Sequence, residues 1–434
     1  MEKDQRVRDP VHNLIKFSSS EKFDHCLWAL LQSNACQRLR RIKQLGFSEF
    51  VYPGATHTRF SHVLGAMQTA RQMLEAFERN KALPSKDHKK MRGATLAAVL
   101  LHDIGHGPYS HVFEEISTAV KQHKAHEEIT REIIQSDEIA SILEKYGILK
   151  EVVSFFTTDN PTNPYASILS SEMDADRLDF LTRDRYFTGI QQGQIDLVWL
   201  LDSLRIEDVS YGPLAGQTKK TFVVLQKGLG AIEGYVTAYI KLYESIYFHK
   251  VTRGIQFLAQ FALIDALKDR ERLERQGVTS SLINYYDAKP KDRLSQYLKL
   301  DDTDVISLLK SLSTKKVGLA TDFAQRFLSR QPLRCYEPND PNREPDMGRT
   351  NALRERLEEK GIWFHMDYPK PKGIKQYEVM DENFLKNIMV KVGKQQQSLG
   401  AVREKLLLKT DRHVRFYFKS DADRATAEKA WGKV

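Results

Sequence analysis

The apolar run TLAAVLL at 95–101 leads directly into His102-Asp103 and is then broken by Gly105, Gly107 and Pro108. Such a run predicts a buried helix. A carboxylate at the end of a buried helix is costly unless its charge is compensated. Adjacent side chains diverge on a regular helix, but at a terminus the backbone turns and both can point at one ion. A divalent cation would supply the compensation, and the donor types suit Mg, Mn, Fe, Co, Ni or Zn depending on geometry. Taken alone, the pair reads more simply as a helix-end histidine beside a capping or salt-bridged aspartate.

The surroundings narrow this choice. Upstream, HTRFSH ends in His62, at the start of a helical pattern over 61–79 carrying Leu64, Met67, Met73, Leu74 and Phe77. Downstream, SSEMDADRLDFLTRD places Asp176 in an acidic helix within 168–186. Near the pair, HGPYSHVFE and HKAHEE add His106, His111, Glu114 and His126. Of the 13 histidines, His102, His106, His111, His123 and His126 crowd this one stretch.

The remaining pattern is mostly helical. Helix-compatible spacings run over 23–45, 126–134, 139–146 and 231–267, the last with aromatics at Tyr235, Tyr239, Tyr243 and Tyr247 that read as a packing stripe. A small β element is expected near 211–227, where TFVVL follows Gly212, Pro213 and Gly216. After about residue 317 the composition shifts. EPNDPNREPDMG reads as a linker, and GIWFHMDYP and HVRFYFK read as strands. The expected fold is therefore mainly α, with a small α+β appendage at the C-terminal end. The domain expectation is a catalytic domain with a helical extension over 1–320 and a regulatory or oligomerisation region over 321–434.

Composition excludes several classes. No apolar run approaches the roughly 20 residues of a membrane helix, and the charged start MEKDQRVRDPVHN lacks a secretory apolar core. Three cysteines, Cys26, Cys36 and Cys335, do not make a disulfide framework and suggest a reducing compartment, so a cytoplasmic protein is expected. The net charge of +9 favours anionic partners such as nucleotides or nucleic acid. The basic tail carries Trp363, Phe364, Phe416, Tyr417 and Phe418, which could stack on single strands but read more simply as strand core. There is no Walker A loop, no dinucleotide fingerprint and no Cys-x-x-Cys zinc site.

Several motifs in order carry a family resemblance: DPVHN, QRLRRIKQLG, YPGATHTRFSHVLG, LLHDIGHGPYSHVFE, His126-Glu127, MDADRLDFLTRD and YFHK. Together they resemble the HD-superfamily deoxynucleoside triphosphate triphosphohydrolases, over about residues 7–330 and loosely after 190. The resemblance implies an HD-domain helical core and places His62, His102, Asp103 and Asp176 on the family's metal ligands. It implies hydrolysis at the α-phosphorus, giving deoxynucleoside and inorganic triphosphate. His111 falls on the general acid, and its residue type suits the role; Glu114 and His126 fall on the residues that orient or relay to it. Glu114 stands where the family often has Asp.

Arg59 matches a phosphate clamp, for which a planar guanidinium is suited. Arg177 matches a second phosphate contact, with an ion pair to Asp174 or Glu172 as its alternative. Gln44 and Asp184 match residues at the sugar 3′-hydroxyl, Leu45 an apolar neighbour, and Tyr247 an aromatic that crowds the 2′ position. Phe180 departs from the pattern, since the family commonly has Tyr there, and this puts strict deoxyribose selection in doubt. Arg38 and Arg40 match basic positions near a regulatory nucleotide pocket, or else a solvated helix face. The family implies dNTPs as substrate and allosteric ligand, and a homo-oligomer (dimer, tetramer or hexamer). Other HD activities, as nucleotidase, cyclic-nucleotide phosphodiesterase or nuclease, would use the same ligand set. A nucleotide sensor or nucleic-acid-binding module is the remaining alternative.

Overall fold

The computed structural model describes residues 1–79, 83, 87–157, 163–210, 218–338, 345–368, 382–403 and 414–433. The chain forms two compact units, and neither is continuous in sequence.

The first unit comprises 1–242, 279–308 and 384–404. It opens with a hairpin, Gln5–Asp9 antiparallel to Asn13–Phe17. Ten helices follow: α1 (Lys22–Gln32), α2 (Asn34–Arg38), α3 (Arg59–Arg79), α4 (His88–Leu101), α5 (His111–Ala119), α6 (His126–Ile134), α7 (Asp137–Tyr146), α8 (Leu149–Thr157), α9 (Ala166–Leu169) and α10 (Ala175–Thr188). The helical pattern over 23–45 is thus interrupted. Ser33 adopts an extended backbone and its hydroxyl accepts from the Cys36 N–H, which ends α1 and caps α2. The pattern over 168–186 is interrupted too, between α9 and α10, where Asp174 caps α10 by accepting from the Arg177 N–H at 2.8 Å.

Helix α3 packs against both α4 and α10. It can do so because it is apolar around most of its circumference: Val63, Leu64, Met67, Ala70, Met73, Leu74 and Phe77 are buried. Residues 94–101 of α4 are buried without interruption, as the apolar run predicts. These three helices form the frame of the site.

The expected β element near 211–227 is Thr218–Leu225, antiparallel to Leu204–Ser210; Gly212, Pro213 and Gly216 lie outside the described residues. Met389–Val392 joins it in parallel and pairs in turn with Gln395–Ser398. A C-terminal segment therefore completes a sheet of the first unit.

The second unit comprises 243–278, 309–383 and 405–434. Its strand Arg415–Phe418 lies between Arg334–Tyr336 and Phe364–Asp367, antiparallel to both. Helices Met347–Glu359 and Asp421–Trp431 cover the sheet through Leu353, Leu357, Phe416, Phe418 and Ala427. Phe416, Tyr417 and Phe418 are buried, and Trp363 packs on Phe261 and Phe323. These aromatics are core, which removes them as a stacking surface for single strands. Residues 339–344 of the expected linker lie outside the described residues. Residues 243–278 group with the unit of the C-terminal sheet, and 384–404 group with the first. The predicted helix over 231–267 is also divided. Leu229–Leu242 passes into a π-helical turn, Tyr243–Tyr247, before Lys250–Lys268 begins. Among the described residues, no helix is long and apolar enough to cross a membrane.

Candidate metal centre

His62 lies in the first turns of α3, His102 caps α4, Asp103 follows it, and Asp176 is in the first turn of α10. The packing of α3 on α4 and α10 brings the four together. His62 Nε2 is 2.9 Å from Asp176 Oδ1 and 3.9 Å from Asp103 Oδ2. His102 Nε2 is 3.5 Å from both Asp103 Oδ1 and Asp176 Oδ1.

The two imidazoles are oriented in the same way. His102 Nδ1 donates to the Val99 carbonyl at 2.7 Å, and His62 Nδ1 donates to Asp179 Oδ2 at 2.9 Å. In each ring Nε2 is left buried and without an aligned hydrogen bond, facing carboxylate oxygens. Orphaned buried nitrogens are rare unless something outside the protein satisfies them. A divalent cation fits this donor set, and His62, His102 and Asp103 form a group that could hold one.

The electrostatics agree. Burial opposes ionisation of Asp103, yet Arg59, His102 and His106 hold its carboxyl well below the usual range. Burial likewise disfavours charge on His62, but the Asp176 and Asp179 carboxylates outweigh it and raise its pKa to about 10. Asp179 was not foreseen as a site residue. Its signal was the spacing of Asp176, Asp179 and Arg183, which places all three along one face of a helix.

A second cluster stands beside the first. Glu114 receives His111 Nδ1 at 3.1 Å on one oxygen and His126 Nδ1 at 2.7 Å on the other. Burial raises the Glu114 carboxyl, but these two bonds prevail and hold it below its ordinary value. His106 stacks on His126 at 3.9 Å and lies 3.2 Å from Asp103 Oδ1, so it joins the two clusters. Burial keeps the His106 imidazole neutral, well below the usual histidine range.

The turn leading into α5 is strained. Tyr109 and Ser110 both have positive φ, 51° and 53°, a left-handed region costly for residues with a Cβ. Asp302 anchors the turn by accepting the Tyr109 N–H at 2.7 Å, and Tyr109 stacks on Phe47 at 3.9 Å. The turn starts α5 at His111 and points Ser110 Oγ at Arg59 Nε, 2.7 Å away. Arg59 also pairs with Asp103 and is buried. The predicted phosphate clamp therefore sits directly on a predicted metal ligand.

Other predicted residues are placed less uniformly. Gln44 and Asp184 meet through His57, whose carbonyl accepts the Gln44 N–H at 3.0 Å and whose Nε2 bonds Asp184 Oδ1 at 2.7 Å. Gln44 Oε1 is buried without a hydrogen-bond partner, and Leu45 is half-buried beside it. Phe180 is half-buried on α10, one turn from Asp176. Arg177 adopts its alternative role, bonding the Ser171 carbonyl and lying 3.4 Å from Asp174 and 3.5 Å from Glu172. Tyr247 belongs to the second unit, where it meets Tyr243 edge to face at 4.7 Å. Arg38 is neither solvated nor open to a nucleotide. It is buried and donates to the carbonyls of Leu300 and His106, each at 2.8 Å. Arg40 is exposed and lies over Phe60, 3.6 Å from the ring centre.

Comparison with known proteins agrees with this arrangement. The HD domain family model matches residues 59–181, a span that runs from Arg59 into α10 and includes His62, His102, Asp103 and Asp176. An uncharacterized protein of Bacillus subtilis, YwfO, is 33% identical over 343 residues, covering 78% of this chain and 72% of that protein. The deoxynucleoside triphosphate triphosphohydrolase SAMHD1 of Bos taurus is 26% identical over 338 residues. That match covers 70% of this chain but spans only 54% of SAMHD1. A crystal structure of a phosphohydrolase from Bacteroides thetaiotaomicron superposes with a TM-score of 0.72 at 23% identity, covering 96% of this chain and all of that one. The last likeness is one of fold.

Proposed function

This chain belongs to the HD-domain family, and from that premise we propose that it hydrolyses deoxynucleoside triphosphates to deoxynucleoside and inorganic triphosphate. The observation that carries the proposal is the pairing of two clusters. Orphaned imidazole nitrogens on His62 and His102 face Asp103 and Asp176, and the His111–Glu114–His126 group is joined to them through His106. A divalent cation held by the first cluster would polarise a phosphate and make a bound water acidic enough to react near neutral pH.

The chain's own residues do the rest. Glu114 fixes His111 through Nδ1, and the imidazole hands a proton to the departing 5′-oxygen. His126 shares the same carboxylate and relays charge to it. Arg59 holds phosphate oxygens in place of Ser110 and one edge of Asp103, for which its planar donors are suited. Gln44 and Asp184, joined by His57, present polar atoms to the sugar, with Leu45 and Phe180 as apolar neighbours. Arg177 enters this scheme only by moving from its present partners. Control by nucleotides and assembly into a homo-oligomer are parts of the same proposal. It is supported by the SAMHD1 relatives, which are triphosphohydrolases of deoxynucleoside triphosphates.

The test is incubation of the protein with each dNTP and NTP in Mg or Mn, followed by chromatography of the products. Inorganic triphosphate with deoxynucleoside is the expected result. Monophosphate or cleaved oligonucleotide would replace this reading with another HD phosphohydrolase activity, which the missing hydroxyl at Phe180 favours. No product would leave a binding module.

A further inference from the structure

A fully buried polar group lies behind the candidate metal centre. Asp179 and Arg183 are fully buried on α10, and Arg183 donates to Asp179 through Nε at 2.8 Å and Nη2 at 3.0 Å. The same guanidinium reaches Asp9, at the end of the N-terminal hairpin's first strand, at 2.8 and 3.2 Å. Asp9 in turn accepts the Val11 and His12 N–H groups, which shapes the hairpin turn. That turn delivers His12, whose Nε2 bonds Asp179 Oδ1 at 2.7 Å. The other Asp179 oxygen takes the Nδ1 proton of His62.

The backbone of α3 is adapted to this group. A Cβ on Gly65 would lie 2.0 Å from Arg183 Nη2 and 2.2 Å from Asp179 Oδ1. Only glycine lets α3 approach closely enough for His62, one turn earlier, to meet Asp179. His12 and Arg183 bond Asp179, Asp9 bonds Arg183 and Gly65 makes room for the pair, while Asp179 itself meets one nitrogen of one predicted metal ligand. A stabilising ion pair alone would not need Asp179 to take the Nδ1 proton of His62 on one oxygen and His12 on the other.

We propose that Asp179 is a positioning residue for the metal centre: it fixes His62 in the orientation and tautomer that present Nε2 to a cation, and Arg183, Asp9 and His12 hold it there. This rests on the metal-dependent reading given above. An anionic partner on the far nitrogen orients a ligating imidazole and increases its basicity, and loss of such a partner typically weakens metal binding about 10–100-fold. The N-terminal hairpin then belongs to the metal centre although none of its residues faces the cation.

The test compares metal affinity in the full-length protein, stripped and titrated with Co(II) and Mn(II), and follows the visible d–d absorption of the Co(II) form. Asp179→Asn leaves Arg183 short of a carboxylate and can fail to fold. The double variant Asp179→Asn/Arg183→Gln removes both charges together and is the decisive one. With helical circular dichroism preserved, it should bind Co(II) about 10–100-fold more weakly than wild type, with a shifted d–d spectrum. Asp9→Asn, which leaves Asp179 and His62 in contact, should lose only a few-fold. Wild-type affinity and spectrum in the folded double variant would overturn the proposal while leaving the metal centre intact. A wild-type protein that takes up no stoichiometric metal would overturn the functional reading itself, and this proposal with it.

Discussion

The two histidine clusters use the same anchoring nitrogen in different ways. His62 and His102 donate Nδ1 to two different acceptors, Asp179 and the Val99 carbonyl, and keep Nε2 facing carboxylates. His111 and His126 donate Nδ1 to one shared acceptor, Glu114. Separate anchors fix each of the two rings independently of the other. A shared carboxylate ties two rings to one acceptor, so that displacing either disturbs the anchor of the other. The first arrangement suits a cation that must stay, and the second suits a proton that must leave.

The comparison breaks most visibly at the ligands. Asp176→Ala should reduce triphosphate release to background and lower metal content, while helical circular dichroism is retained because Asp174, not Asp176, caps α10. Turnover or full metal content in that variant would remove the ligand assignment. His111→Ala should behave differently. Its rate should fall about 10²–10⁴-fold, as loss of a general acid does, with metal content unchanged. A loss of metal in both variants would mean that the two clusters are one structural unit.

The shared carboxylate also has a pH signature. The Glu114 carboxyl, ordinarily near 4.5, is held lower in the folded protein because the His111 and His126 hydrogen bonds outweigh burial. A depressed carboxyl contributes stability that is complete above its unfolded pKa and is lost as pH falls through the folded one. Wild type should therefore lose melting temperature steadily below about pH 4.5, and Glu114→Gln should show a shallower acid slope from a lower starting point. Parallel slopes would show that Glu114 is not the group these imidazoles hold ionised.

How far the sequence reveals this site depends on which interactions are local. His62, His102-Asp103 and Asp176 stood out because each lies at the start or end of a strongly periodic helix, where side chains can converge. The mainly helical fold followed from the same periodicity. Arg38 was misleading because a basic residue in QRLRRIKQLG resembles a solvated face. Its actual partners, the carbonyls of His106 and Leu300, are main-chain atoms that no side-chain pattern announces. The parallel pairing of Val223 with Met389 was equally hidden, since a strand's distant partner leaves no mark in local periodicity. Asp179 lay in plain view within MDADRLDFLTRD. Its role depends on His12 and Asp9, far away in the chain, and becomes apparent only when the hairpin is placed.

The smallest expected effect concerns neither cluster but the apolar wall next to them. Phe180 lies one helical turn beyond Asp176, so its ring edge is carried by the same rigid helix that carries a predicted ligand. If the sugar lies against this wall, a phenolic hydroxyl there would add one hydrogen bond to a deoxyribose whose 2′ carbon needs no room for oxygen. It would also crowd a ribose. One such bond is worth about 0.5–1.5 kcal/mol, or roughly 2–13-fold in a rate ratio. Phe180→Tyr should therefore raise the ratio of kcat/KM for dNTP over the matching NTP by about that factor, with metal content and the pH profile unchanged. An unchanged ratio would place the sugar away from Phe180, and sugar selection would then fall to Gln44 and Asp184.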